Sequence, residues 1–179
     1  MKYDLENLKI IHYPDPRLRQ RCESVTEFDQ DLATLAEHMI QFMETDRGVG
    51  LAAAQVGISV RMFVMSMTGE KKDAEVFVNP VIHDRSGSAE LEEGCLSLPN
   101  INVNIRRAKH CRIEARNLRG EKFERQADDL ECRVWQHEID HLDGVLLIDR
   151  MGPSDRIATR KTLKILEDSF AQHTNSTCG

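Results

Sequence analysis

Apolar residues recur at helical spacing early in the chain, at Phe28, Leu32, Leu35, Met39, Phe42 and Met43, which predicts an amphipathic helix that stops before Gly48. Its methionines read as core filler. The pattern then shortens. Ser59 to Met67 (SVRMFVMSM) reads as a strand, and Glu75 to Pro80 (EVFVNP) as a second strand ending at its proline. CRIEARN and EKFERQ, joined through Leu118, Arg119 and Gly120, read as a hairpin whose polar residues alternate outward. Helical periodicity returns from about Asp129 through His141, closes near Gly144, and resumes around Ile157 to Phe170. The end of the chain, 171–179, reads as a frayed tail. No repeat, low-complexity tract or linker interrupts this order, so residues 1–179 are expected to form one α+β domain, with antiparallel or mixed sheets packed around the helix that carries HEIDH and further helices towards each end.

Composition narrows the class. A chain of 179 residues with 40% hydrophobic content can bury one substantial core, and a net charge of −6 argues against a general nucleic-acid binder. The first residues, MKYDLENLKII, resemble neither a secretory signal nor a transit peptide, and no segment approaches membrane-spanning length. Five cysteines, at 22, 95, 111, 132 and 178, form an odd set without close pairing, which reads as reduced and cytoplasmic.

Candidate chemistry begins at Gln136 to Gly144, QHEIDHLDG. Residues four apart on a helix share a face, so His137 and His141 can aim at one divalent cation. Glu138 points about a quarter turn away, where it suits a water on the cation rather than the cation itself. A cation lowers the pKa of such a water and a carboxylate accepts its proton, the chemistry of amide or ester hydrolysis. The bland alternative is a polar helix face with two unrelated histidines.

A catalytic site of this kind takes three protein ligands. The metzincin pattern fails, because Leu147 stands where its third histidine belongs. Glu167 is one alternative, although it lies in a charged stretch typical of a solvated face. Cys95, in the Gly-flanked segment EGCLSLP, is the preferred third ligand; its bland reading is a small buried hydrophobe. The other cysteines read as packing residues. Gly48 to Gly57, GVGLAAAQVG, lacks the lysine of a phosphate loop; its small residues permit close backbone approach, and Gln55 offers an amide donor to a developing oxyanion, the alternative being a tight turn with Gln55 solvated.

Taken together, GVGLAAAQ, EGCLS and QHEIDH, in this order, closely resemble the three signature motifs of the peptide deformylases, and HYPDPRLR and GVLLIDRM resemble that family's opening segment and the continuation of its metal helix. The resemblance implies that Cys95, His137 and His141 bind one metal, that Glu138 moves the proton, and that Gln55 and the backbone N–H of Leu96 hold the oxyanion. The implied substrate is an N-formylmethionyl peptide bound as an added strand near Val49 and Gly50, with Val49 at the methionine pocket, and the implied product is formate. Gln136 and Asp140 are expected to orient ligands, and Glu93 to be structural. The implied metal is Fe²⁺ in the cell, with Zn²⁺, Ni²⁺ or Co²⁺ also suited to this donor set. Ala54 stands where the family commonly has proline, Asn102 where many bacterial members have arginine, and Arg133 is expected to project towards the pocket instead. Arg156, Arg160, Lys161 and Lys164 read first as a solvated helix face, with docking near the ribosomal exit tunnel as the alternative the family raises.

Overall fold

The computed structural model describes residues 3–176. A five-stranded antiparallel sheet runs in the order β1 (Gly50–Ala52), β2 (Met62–Met65), β3 (Glu75–Ser86), β6 (His110–Arg116) and β7 (Lys122–Asp128). A separate two-stranded sheet pairs β4 (Ala89–Gly94) with β5 (Asn102–Arg107). The helices are α1 (Gln30–Thr45), α2 (Asp129–Leu142), the short α3 (Leu147–Arg150) and α4 (Pro153–Ser176).

Strand β2 is buried at all four positions because both faces of its sheet are covered. Met62 and Val64 pack with Leu32, Leu35, Met39 and Met43 of α1. Phe63 and Met65 turn to the opposite face, towards Trp135 and Ile139 of α2, and Phe63 stacks on Phe77 with ring centroids 4.6 Å apart. This alternation explains why SVRMFVMSM reads as continuous apolar sequence, and it seats the HEIDH helix against the sheet. The α1 methionines are fully buried, as their spacing predicts.

The hairpin forms at its expected place, its turn closed by the Gly120 N–H on the Asn117 carbonyl at 3.0 Å. Several boundaries differ from the expectation, and the strand expected over Ser59 to Met67 is confined to Met62–Met65. Strand β3 does not end at Pro80 but continues to Ser86, because the register shifts between Val78 and Val81 and the proline occupies that bulge. Asn79, at φ 52°, turns its side chain out of the bulge to accept the Val25 N–H and donate to the Val25 carbonyl, both at 2.8 Å. The last helix begins at Pro153, ahead of the expected Ile157, and its backbone runs on to Ser176. Residues 177–179, including Cys178, lie outside the described residues.

Helix α2 ends against the N-terminal segment. Its Leu142 carbonyl accepts the Cys22 N–H at 2.8 Å, and at Gly144 (φ 74°) any Cβ would stand 2.4 Å from the Arg19 carbonyl oxygen, so the helix cap requires glycine.

Candidate active site

One helical turn separates His137 from His141, and their ring centroids lie 5.0 Å apart. Cys95 arrives from the other sheet, in the turn that follows Gly94 at the end of β4, where the Leu98 N–H closes on the Cys95 carbonyl at 2.9 Å. One ligand atom from each of Cys95, His137 and His141 lies within 4.8 Å of the others, and His141 Nε2 is 3.2 Å from Cys95 Sγ. Sequence neighbours supply two of these groups, and the fold brings the third.

The carboxylate of Glu93 sets the orientation of His137, whose Nδ1–H donates to Glu93 Oε2 at 3.0 Å and leaves Nε2 facing the common point. Burial opposes a charge on Glu93, but hydrogen bonds from His137 and Arg107 hold its carboxyl down at about 2. Glu93 thus does more than hold its strand, since it bonds His137 directly. Arg107 delivers Nε and Nη2 to the two Glu93 oxygens at 2.7 and 2.9 Å and Nη1 to Asp140 at 2.8 Å. Nothing in NIRRAKH marks Arg107 for this role; the signal is purely tertiary.

Burial pulls the His137 imidazole down, but hydrogen bonds with Cys95 and Glu93 outweigh it and raise its pKa well above the ordinary value. His141 goes the other way, lowered by burial and then by the neighbouring His137 and Arg107 charges. Glu138 is 3% exposed, and burial lifts its carboxyl to about 7 against the opposing pull of His137 and Arg107. Its Oε2 and His141 Nδ1 are, among the described residues, the buried side-chain polar atoms without a hydrogen-bond partner. A divalent ion fits this arrangement: two imidazoles and a thiol converge, and the unpaired Glu138 oxygen stands beside them for a water.

Gln55 is 1% exposed, which removes the solvated-turn reading. Its Oε1 accepts the Ala52 N–H at 2.9 Å, so Nε2 must face Ser97 Oγ at 3.3 Å and Cys95 Sγ at 3.6 Å. Ala54 sits in the 3-10 turn that carries Gln55, where its carbonyl accepts the Gly57 N–H at 3.1 Å, so the turn closes without proline. Sequence reasoning missed Ser97, which is fully buried against Gln55 and whose carbonyl accepts the Tyr13 N–H at 2.9 Å.

A cavity of about 710 Å³ opens on these groups, lined by Val49, Gly50, Gln55, Cys95, Leu96 and Glu138 among others. Gly50 begins β1, an edge strand paired on one side with β2. A backbone edge therefore borders the cavity.

Several residues make contacts that their positions in the sequence do not reveal. Gln136 bonds none of Cys95, His137 and His141 through its side chain: its amide bonds the Ala108 carbonyl and the Cys132 carbonyl, each at 3.0 Å, tying α2 to the β5–β6 turn. Asp140 reaches His137 only through Arg107 and Glu93. Arg133 lines the cavity but is held by three hydrogen bonds rather than projecting freely. Asn102 pairs with Gly94 at the end of the small sheet. Glu167 accepts the Tyr13 hydroxyl at 2.9 Å and is no part of the ligand cluster. Cys22, Cys111 and Cys132 are buried, with burial raising each thiol pKa, as packing residues should be.

Comparison with known proteins shows the family and the fold. The polypeptide deformylase family model matches residues 7–157. A peptide deformylase of Acidobacterium capsulatum is 46% identical over 149 residues, covering 82% of this chain and 88% of that protein. A plant peptide deformylase crystal structure superposes with a TM-score of 0.93 at 36% identity, covering 98% of this chain and 96% of its own. A Plasmodium falciparum peptide deformylase gives 0.89 at 36% identity, covering 92% and 98%.

Proposed function

We propose how the residues of this chain, which belongs to the peptide deformylase family, metallohydrolases that remove the formyl group from N-formylmethionyl peptides, share that reaction. Cys95, His137 and His141 hold one divalent metal. When bound, the ion supplies Lewis acidity and brings the pKa of a water towards neutrality.

The buried, unpartnered Oε2 of Glu138 carries this reading. A buried carboxylate oxygen left without a partner is costly unless a reacting group supplies one. Glu138 takes the proton of the attacking water and passes it to the leaving amine, which frees the peptide N-terminus and formate. Gln55 Nε2, locked by the Ala52 N–H on its other end, and the Leu96 N–H face the developing oxyanion. The peptide extends along the free edge of β1 beside Gly50, with the methionine side chain against Val49.

Incubation with formyl-Met-Ala-Ser and with acetyl-Met-Ala-Ser tests the assignment. Formate release from the first and no acetate release from the second are expected, whereas peptide-bond cleavage without formate refutes it. Glu138→Ala should retain the metal and lose turnover; undiminished formate release in that variant refutes the role of Glu138.

Fe²⁺ is the proposed ion in the cell, with Zn²⁺, Ni²⁺ or Co²⁺ occupying purified protein; anaerobic purification with elemental analysis checks it. The proposed location is cytoplasmic, and among the described residues no helix is long and apolar enough to cross a membrane. Docking of α4 near the ribosomal exit tunnel is a second reading for that helix, supported by Ile157 and Ile165, 79% and 55% exposed, beside Arg160, Lys161 and Lys164. Ribosome co-sedimentation unchanged by Arg160→Glu, Lys161→Glu and Lys164→Glu together would end it.

A further inference from the structure

Arg133 stands one helical turn before His137 on α2, with its side chain 6% exposed. Its side-chain hydrogen bonds end on the two-stranded sheet. Nη1 donates to Glu93 Oε1 at 2.5 Å and to the Ile105 carbonyl at 2.9 Å, and Nη2 donates to the Ala89 carbonyl at 2.8 Å. Ala89 opens β4 and Glu93 stands next to its last residue, while Ile105 of β5 pairs with Leu91 between them. One guanidinium therefore grips β4 near both ends and β5 in the middle.

We propose that Arg133 is a positioning residue, which pins the β4–β5 sheet to α2 and so sets the distance of the Cys95 sulfur from the His137 and His141 imidazoles. The inference rests on the ligand set proposed above. His137 and His141 keep their mutual spacing through local helix geometry alone. Cys95 has no such guarantee, because it hangs from the end of a two-stranded sheet, an element with little stability of its own. Its place relative to the histidines is set by whatever joins that sheet to the helix.

Beside the apolar packing of Val103 and Ile105 with Leu146, Leu147 and Ile148, two buried arginines make the join in opposite directions. Arg107 reaches from β5 to α2, but its partners are the Glu93 and Asp140 carboxylates, which can rotate. Arg133 reaches from α2 to β4 and β5, and two of its three acceptors are backbone carbonyls, which cannot move without moving the strands. A planar guanidinium spans three such acceptors; an ammonium does not.

Chelator-stripped protein refilled with Co²⁺ tests this, read by thiolate-to-cobalt charge-transfer absorption and by chelator competition, with formyl-Met-Ala-Ser kinetics alongside. The wild type should show the band and Cys95→Ser should lose it. A wild type without the band fails the ligand set, and this inference with it. With the band present, Arg133→Met should bind Co²⁺ roughly 10–100-fold more weakly, the usual effect of removing a group behind the ligands. Its band should shift, and kcat should fall at saturating metal with KM within about threefold of wild type. Arg133→Lys should restore at most part of the affinity. Wild-type affinity and band in Arg133→Met, with KM alone raised, would make Arg133 a pocket wall and overturn the proposal. Should Arg133→Met fail to fold, wild-type affinity and band in Arg133→Lys would overturn it equally.

Discussion

A Cβ at Gly50 would stand 2.4 Å from Glu138 Oε1. Strand β1 and helix α2 therefore meet with no room for a side chain at this point, and the carboxylate proposed to move protons is packed directly against the backbone proposed to bind peptide.

Gly50→Ala should displace the Glu138 carboxylate. A misplacement of this order costs about 10²-fold in turnover. Steady-state formate release should show that loss mainly in kcat, while elemental analysis finds the metal retained. Turnover within a factor of about two of wild type would show that the carboxylate does not depend on this contact.

Gln55→Leu removes the amide held by Ala52 and leaves the apolar bulk. Loss of an oxyanion donor typically lowers kcat by about 10²–10³-fold, and KM should change far less. Equal losses for formylated substrate in binding and turnover would point instead to collapse of the turn.

Acid should unfold this protein through Glu93. Its folded carboxyl lies at about 2, below the ordinary value of 4.5, so the unfolded chain binds the proton more readily in that interval. The stabilisation is complete above the unfolded pKa and is lost as pH falls towards 2. Asp149 is also lowered, opposed by burial and driven by Arg19 and the Leu146 N–H, and it adds in the same direction. Urea midpoints in the presence of chelator should fall between pH 5 and pH 3. In Glu93→Gln the midpoint should be lower at pH 7, where Arg107 and Arg133 lose their counter-charge, and the acid dependence shallower.

Thiol labelling should separate the cysteines. Burial pushes the Cys22 thiol up to about 11, and Cys111 and Cys132 are buried and raised as well, so all three should resist a disulfide reagent at pH 8 in folded protein. Cys95 lines the open cavity and should label quickly in chelator-treated protein. Added Zn²⁺ should protect it. Mass mapping of the modified peptides checks both statements, and equal labelling of Cys95 with and without Zn²⁺ would count against thiolate ligation.

How far the chain announced this depends on the range of each interaction. Helical periodicity located α1 and α2 to within a few residues, since the repeat that builds a helix is written in neighbouring positions. Pro80 is the opposite case, a proline inside a strand. Whether a proline ends a strand depends on what its partner strand does, and here a register shift opposite β6 accommodates it.

The site divides along the same line. Spacing alone put His137 and His141 on one helix face with Glu138 beside them, and the order of the three motifs selected Cys95 and Gln55. Tertiary structure decided the rest: the Glu93 carboxylate behind His137, Arg107 and Arg133 behind Glu93, Ser97 against Gln55, and Gly50 under Glu138. Those groups act through burial and through hydrogen bonds between distant segments, so their chemistry belongs to their surroundings, and no local pattern of residues can carry it.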